Sequence, residues 1–177
     1  MFVVNLVVGC LCIITIAVIG IFTKWMKDIL SESDEPTEVK IKIIDGGQMP
    51  EVKTEGAVCL DARARLDKEV EVLSGQRVTI PLGFAMELPR LFEVQVRPRS
   101  GLSKKGVDVS LGTGDWDFVG EYTATIKNDT LEPLTINNGD RICQIAIRET
   151  PEIKLVQVDE LKQTKRGSNG WGSTGLK

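Results

Sequence analysis

The chain has 177 residues, a formal net charge of −3 and no histidine. Without imidazole, Ser-His-Asp triads, Cys-His nucleophiles and histidine-ligated zinc sites are excluded. A general base therefore has to be a carboxylate, or a lysine, tyrosine or cysteine whose pKa is shifted. The charge is nearly balanced and lacks the positive excess that binds duplex nucleic acid, so we predict no nucleic-acid partner.

The first predicted element is a single transmembrane helix within residues 1–30. Residues 2–22 are almost entirely apolar and are long enough to cross a roughly 30 Å hydrocarbon core as a helix. A cleaved signal peptide is the alternative, but no lysine or arginine precedes the run and no A-x-A site closes it. Lys24 and Lys27 follow the span, which predicts a membrane protein with its C-terminal domain on the cytoplasmic side.

A linker and a strand-rich domain are predicted next. Residues 31–38 are acidic and contain proline, as is typical of a linker. From residue 39 the hydrophobic period is two, and β-rich runs are separated by glycine- and asparagine-containing turns. The predicted strands are residues 39–43, 77–84, 92–96, 122–126 and 141–147. This spacing is typical of a sandwich, a jelly roll or a closed barrel over residues 39–164, and the pattern also allows a short helix near residues 158–163.

Three segments carry more glycine, arginine and acid than strand connections need. Residues 97–106 combine arginine, serine and glycine in one turn, which suits phosphate oxygens, although a solvated basic loop has the same composition. Residues 165–177 form a glycine-rich tail with one tryptophan, which is either a mobile terminus or a lid that closes over a base. Residues 112–121 form an acidic, glycine-containing segment. It is either a simple hairpin or the place where Asp115 or Asp117 acts as the general base.

Taken together and in order, these segments resemble the five motifs of the trimeric dUTP pyrophosphatase (dUTPase) family. The resemblance runs from Gly56 to Gly175. Its motifs are residues 58–64, 98–102, 112–121, 139–144 and 166–175. This chain departs from the family pattern at Cys59 (usually glycine), Ala62 (leucine), Gly114 (aliphatic), Phe118 (tyrosine) and Trp171 (phenylalanine).

The resemblance implies a distorted jelly-roll β-barrel, preceded here by the membrane helix. It implies a homotrimer with three active sites between subunits, and residues 165–177 as an arm that closes over the site. The implied reaction is hydrolysis of dUTP to dUMP and pyrophosphate, with Mg²⁺ bound to the triphosphate.

The resemblance also implies roles for individual residues. Asp115 would position and deprotonate the attacking water, and Phe118 would lie against the deoxyribose. Trp171 would cover the uracil, and Asp61 would be linked to the metal through water. The implied substrate-binding residues are Arg99, Ser100, Gly101, Phe118, Gln144, Arg166, Trp171, Gly172, Ser173 and Thr174.

Two other functions remain open at this point. The related dCTP deaminases share the barrel but depend on a glutamate at a position that Thr125 occupies in this chain. A membrane-tethered regulatory module that binds nucleotide without turning it over is the other alternative. Selectivity for dUTP over dCTP is not readable from the sequence.

Overall fold

The computed structural model describes residues 19–26 and 36–168, and the chain divides into two units, Met1–Ile41 and Lys42–Lys177. Residues 19–26 of the first unit form a helix, α1, whose side chains are exposed. Within the two described ranges, no helix is long and apolar enough to span a membrane. Most of the predicted span, residues 2–18, lies outside the described residues, so the anchor stays a prediction.

Strands dominate the rest of the described chain, and the predicted all-β class is confirmed. In chain order the elements are β1 (Lys40–Ile43), β2 (Leu60–Arg63), β3 (Val70–Val72), β4 (Arg77–Pro81), β5 (Phe84–Glu87), β6 (Phe92–Arg97), α2 (Ser100–Ser103), β7 (Val107–Val109), β8 (Gly112–Gly114), β9 (Thr123–Asn128), β10 (Leu134–Ile136) and β11 (Arg141–Glu149).

The largest sheet has four strands in the order β2-β11-β6-β8, and every pairing within it is antiparallel. A second sheet has the order β4-β9-β7. Two smaller sheets pair β10 with β3 and β1 with β5; β1 belongs to the second unit from Lys42 onward. In the largest sheet Gln144 on β11 lies opposite Asp61 on one side and Arg97 on the other. The register therefore brings three of the predicted motifs to one place.

The core follows from the period-two pattern. Along β6, Val94 and Val96 are buried while their neighbours are half-buried, as expected for a strand with one face inward. Among the described residues two polar side chains are buried as well, Asp61 and the fully buried Asn128. Asn128 is satisfied within the core. Its Nδ2 donates to the carbonyls of Val72 and Glu132 at 2.9 and 2.8 Å, and its Oδ1 accepts from Thr130. The amide is thus satisfied, so its burial carries little penalty.

Two elements differ from the sequence-based expectation. The predicted strand over residues 77–84 is broken, because β4 ends at Pro81 and β5 begins at Phe84. Between them Gly83 has a φ of 75° and packs against the backbone of Gly47, an arrangement that only glycine tolerates. The short helix near residues 158–163 is not formed. That segment is exposed along its whole length, so an apolar helix face would have nothing to pack against.

Candidate active site

The carboxylate of Asp61 on β2 is the centre of a cluster drawn from three motifs. Its Oδ1 accepts hydrogen bonds from Gln144 Nε2 at 3.1 Å and Arg99 Nε at 3.3 Å. Its Oδ2 accepts from Arg141 Nη1 at 3.0 Å and Arg99 Nη2 at 3.4 Å. The Asp61 side chain is only 6% exposed. We call these four residues the Asp61 cluster.

The cluster forms because of strand register and one turn. Gln144 is the cross-strand partner of Asp61, so their side chains lie on the same face of the sheet. Arg99 stands between β6 and α2, and its carbonyl accepts from the amides of Leu102 and Ser103, which fixes the turn. Arg141 was not among the residues predicted from sequence. Its position directly after the Gly139-Asp140 turn was visible, but the contact depends on the pairing of β11 with β2.

The cluster carries an excess of positive charge. Burial alone would raise the pKa of Asp61, but the Gln144 hydrogen bond and the Arg99 and Arg141 guanidinium groups outweigh it and lower that pKa below its ordinary value. Two cations therefore surround one anion. Arg99 and Arg141 also line a cavity of about 340 Å³ together with Arg63. Such a cavity is suited to phosphate oxygens.

Asp61 is also the predicted link to magnesium. Within residues 19–26 and 36–168 no group of three histidine, cysteine or acidic side chains is arranged to hold a metal ion directly. Both oxygens of Asp61 already accept hydrogen bonds from the cluster. One carboxylate of this kind fits Mg²⁺ that is bound mainly by substrate phosphates and keeps its waters, which is how this ion is usually held.

Asp115 lies in a different cavity, at the end of β8. This cavity has a volume of about 230 Å³, and Phe118, Glu121 and Tyr122 also line it. The amide of Phe118 donates to the Asp115 carbonyl at 3.0 Å, which closes the turn after β8. Asp115 is exposed and Phe118 is 41% exposed. A carboxylate and an aromatic face are therefore both available to a molecule in this cavity.

β8 and β9 lie in different sheets, and β8 pairs with β6, so residues 112–121 do not form a hairpin. The loop between β8 and β9 is held by an ion pair that the sequence did not reveal. Arg65 Nε and Nη2 donate to the two carboxylate oxygens of Glu121 at 2.8 and 2.9 Å, and the Gly83 amide donates to the same carboxylate at 2.9 Å. The hydrogen bond from Arg65 lowers the pKa of Glu121 against the effect of burial, and the Gly83 amide adds to it. This Arg65–Glu121 pair fixes the end of the loop that carries Asp115.

The remaining predicted residues fall into two groups. Ser100 and Gly101 begin α2 next to Arg99, and both are exposed. Arg166 is described and exposed. Trp171, Gly172, Ser173 and Thr174 lie outside the described residues, so their roles stay predictions.

In the described part of the chain, Asp115 and the Asp61 cluster do not meet. Their two cavities share no lining residue. Asp61 lies on β2 and Asp115 follows β8, which are the opposite edges of the four-stranded sheet. Three interstrand steps of about 4.8 Å separate these edges, roughly 14 Å in all. One chain thus presents two separate halves of a site.

Comparison with known proteins gives these halves a context. A model of the dUTPase family matches residues 45–175. The deoxyuridine 5'-triphosphate nucleotidohydrolase of Treponema denticola is 42% identical over 142 residues, covering 78% of this chain and 99% of that relative. The protein of the same name from Chlamydia caviae is 43% identical over 138 residues, covering 75% of this chain and 94% of the relative.

Solved structures agree on the fold. The Staphylococcus bacteriophage 80alpha dUTPase with dUpNHpp superimposes with a TM-score of 0.74 at 22% identity, covering 80% of this chain and all of that one. A variant dUTPase from phage phi11 of S. aureus, described for its coordination of a structural Mg(II) ion, gives a TM-score of 0.66 at 19% identity, covering 71% and 99%.

The structural matches define the class: this is an all-β domain of the dUTPase type. The sequence matches go further, and the chain belongs to the dUTPase family. The prediction of an enzyme, a dUTP diphosphatase, is thereby confirmed.

Proposed function

We propose that this chain hydrolyses dUTP to dUMP and pyrophosphate, with Asp115 as the base that activates the attacking water. Family membership supports the reaction. The observation that carries the residue assignment is the placement of the Asp115 carboxylate in one cavity with the ring of Phe118. We place the sugar of the nucleotide against that ring and its α-phosphate beside the carboxylate.

This hydrolysis depends more on the positioning of the water and the phosphates than on reactive side chains. Asp115 orients a water in line with the bond between the α-phosphorus and its bridging oxygen, and it accepts a proton as the new P–O bond forms. The bond to the bridging oxygen breaks, and pyrophosphate leaves. Arg99 neutralises charge on the phosphates, and Gln144 and Ser100 orient them by hydrogen bonds. When the arm closes, Arg166 adds a second positive charge, and Ser173 and Thr174 add hydrogen bonds. No step needs histidine, which the chain lacks.

Substrate selection is assigned to aromatic rings. Phe118 lies against the deoxyribose and leaves no room for the 2′-hydroxyl of a ribonucleotide. Trp171 in the arm of residues 165–177 covers the uracil and excludes water, with Gly172 allowing close approach. Mg²⁺, when bound, supplies charge neutralisation on the triphosphate, and Asp61 would hold it through water.

The resemblance to the dUTPase family implies a homotrimer, and the separation of the two halves of the site supports sharing between copies. Because Asp115 and the Asp61 cluster lie at opposite sheet edges, we propose that different copies of the trimer supply them. The barrel is assigned to residues 39–164 and the closing arm to residues 165–177.

We also propose that residues 1–30 hold the enzyme to a membrane with the catalytic domain on the cytoplasmic side. Lys24 and Lys27 after the apolar run support this orientation. Fractionation of the full-length chain, with a version lacking residues 1–30 as control, tests it. Full-length chain in the soluble fraction would refute the anchor, and a reporter after Lys177 that is found outside the cytoplasm would refute the orientation.

A nucleotide panel tests the reaction. The chain is incubated with dUTP, dCTP, dTTP or UTP and Mg²⁺, and both pyrophosphate and ammonia are measured. Pyrophosphate from dUTP is expected. Ammonia from dCTP would indicate the deaminase, although the position expected to carry its glutamate holds Thr125, hydrogen-bonded to Thr79 at 3.0 Å. Binding without any product would indicate the regulatory module.

Asp115→Asn tests the base. The variant is expected to lose roughly 10²- to 10⁴-fold in kcat, since it keeps the size of the side chain but cannot accept the proton. Asp117→Asn, two residues along the same exposed turn, is the matched control and is expected to retain most activity. Turnover like that of the wild type in Asp115→Asn would remove the assignment.

A further inference from the structure

Tyr122 is the only tyrosine in the chain, and it is buried between two other aromatic rings. Its ring stacks on Phe84, with centroids 5.8 Å apart and an interplanar angle of 26°. It meets Phe118 edge to face, at 5.3 Å and 85°. Phe84 is fully buried, whereas Phe118 is 41% exposed at the cavity of Asp115. The Tyr122 ring therefore connects the core to the surface on which we place the sugar.

Phe118 is also confined from a second side. A Cβ added at Gly120 would lie 2.7 Å from Cζ of Phe118, so the ring packs directly over the backbone of that glycine. Tyr122 and Gly120 together leave the ring little freedom to tilt. Its orientation is then a property of these neighbours as much as of Phe118 itself.

The hydroxyl end of Tyr122 packs against Gly114, the residue that precedes Asp115. A Cβ added at Gly114 would lie 2.5 Å from Cε1 and 2.7 Å from the hydroxyl oxygen of Tyr122. Gly114 is buried, so Tyr122 fills the space that a side chain at 114 would take. This complementary packing gives a physical reason for glycine at position 114. It also fixes the position of the backbone from which the Asp115 side chain projects.

The stability of the fold does not explain why residue 122 carries a hydroxyl group. Among residues 19–26 and 36–168 it has no hydrogen-bond partner, although its oxygen is buried. A buried polar atom in this state usually costs stability. Burial, and to a smaller extent the negative charge of Asp115, raises the pKa of Tyr122, so the group stays a neutral phenol near the catalytic carboxylate.

We infer that Tyr122 is a positioning residue of the active site: its ring holds Phe118 in the orientation that rejects a ribose, and its hydroxyl end supports Gly114 and the turn carrying Asp115. The inference rests on the proposed function, since it assigns Phe118 to the sugar and Asp115 to the water. It adds a residue that lines the same cavity and acts through Phe118 and Gly114. Its effect is divided between selectivity and turnover.

Substitutions test the two parts separately. Tyr122→Leu removes the ring and is expected to lower the ratio of kcat/KM for dUTP over UTP by roughly tenfold to a hundredfold, through a gain in UTP turnover as well as a loss with dUTP. Tyr122→Phe keeps the ring and is expected to keep the ratio while lowering kcat a few-fold. Val72→Ala, at a fully buried core position outside both cavities, is the control for lost stability and is expected to leave the ratio unchanged.

These outcomes separate the inference from the function on which it rests. If the wild type releases no pyrophosphate from dUTP, both are overturned. If the wild type is active and Tyr122→Leu keeps the wild-type ratio, the inference alone is overturned. Should Tyr122→Leu fail to fold, Gly114→Ala replaces it, because the added methyl group pushes against the Tyr122 ring from the other side.

A measurement on the unaltered protein needs no variant. Tyrosine labelled with ¹³C at the ring Cζ alone gives one NMR signal, from Tyr122, since the chain has a single tyrosine. Titration with dUpNHpp is expected to shift it, and titration with tripolyphosphate, which has no sugar, is expected to leave it in place. A signal that moves with neither probe, or equally with both, overturns the inference.

Discussion

Asp61 holds two arginines and a glutamine in place through one carboxylate, so its replacement by asparagine should be costly. We expect Asp61→Asn to lower the free energy of unfolding by about 3 kcal/mol, because Arg99 and Arg141 then face an amide rather than an anion. Urea denaturation measures the change. Asp129→Asn, in an exposed pair with Lys127, is the control and should change it by less than about 0.5 kcal/mol.

The same residue gives a pH dependence of defined sign. The pKa of Asp61 is lowered in the folded chain, so its stabilisation is present above its ordinary pKa of 3.8 and is lost as the pH falls through the lower, folded value. The difference in unfolding free energy between wild type and Asp61→Asn should therefore be constant near neutral pH and shrink below about pH 4. A difference that grows on acidification would contradict this account of the cluster.

Single residues differ in how far the sequence predicts them. Asp61, Arg99 and Gln144 each belong to a recognisable motif, and the structure brings all three together. Arg141 lies within the motif at residues 139–144 but was assigned no role there, and Tyr122 carries no functional signal of its own. The contact of Arg141 depends on the register of β11, and that of Tyr122 depends on a glycine eight residues earlier in the chain.

The loop between β8 and β9 should depend on the Arg65–Glu121 pair. Glu121→Gln leaves Arg65 and the Gly83 amide without a charged acceptor, and we expect the melting temperature to fall by about 2–4 °C. The kcat with dUTP should fall as well, since this loop carries Asp115. Glu152→Gln, in an exposed pair with Arg90, is the matched control. Equal melting temperatures and rates for the two variants would mean that the pair does not hold the loop.

The C-terminal segment should affect activity rather than stability. Residues 151–168 are exposed and contain no strand or helix, so their side chains add little to the core. Removal of residues 166–177 is expected to change the unfolding free energy by less than about 0.5 kcal/mol and to reduce dUTP turnover strongly. Calorimetry and pyrophosphate release measure the two effects. A large loss of stability would contradict the role of a closing arm.

Strands were predictable where one face is buried and the chain continues. Residues 92–96 alternate and residues 141–147 are rich in β-forming residues, and β6 and β11 cover them. The break within residues 77–84 was not predictable, because it is set by the packing of Gly83 against Gly47, far away in the chain. The absent helix at residues 158–163 has a similar cause: a helical pattern needs a partner surface, and a single sequence does not say whether one exists.

For the whole molecule, motif order in the sequence predicted the family and sites between subunits, but not which residues lie together on one chain. All the motifs have to serve one substrate, yet Asp115 and the Asp61 cluster lie at opposite edges of one sheet. If one chain worked alone, a single bound nucleotide would have to reach from Asp115 to the Asp61 cluster. Sharing between copies removes the difficulty, and it makes the site inseparable from assembly.

Mixed assemblies of two variants decide whether one chain supplies the whole site or different copies share it. Asp115→Asn and Arg99→Gln should each be inactive alone, because each lacks one half of the site. When both are co-expressed, a site that takes Asp115 from one copy and Arg99 from another is intact in about a quarter of random combinations, so activity should return to about a quarter of the wild-type value. If one chain supplied both residues, every site would carry a defect and no activity would return. The recovered activity should elute at the size of a trimer in size-exclusion chromatography, and activity recovered at the size of a monomer would contradict the shared site.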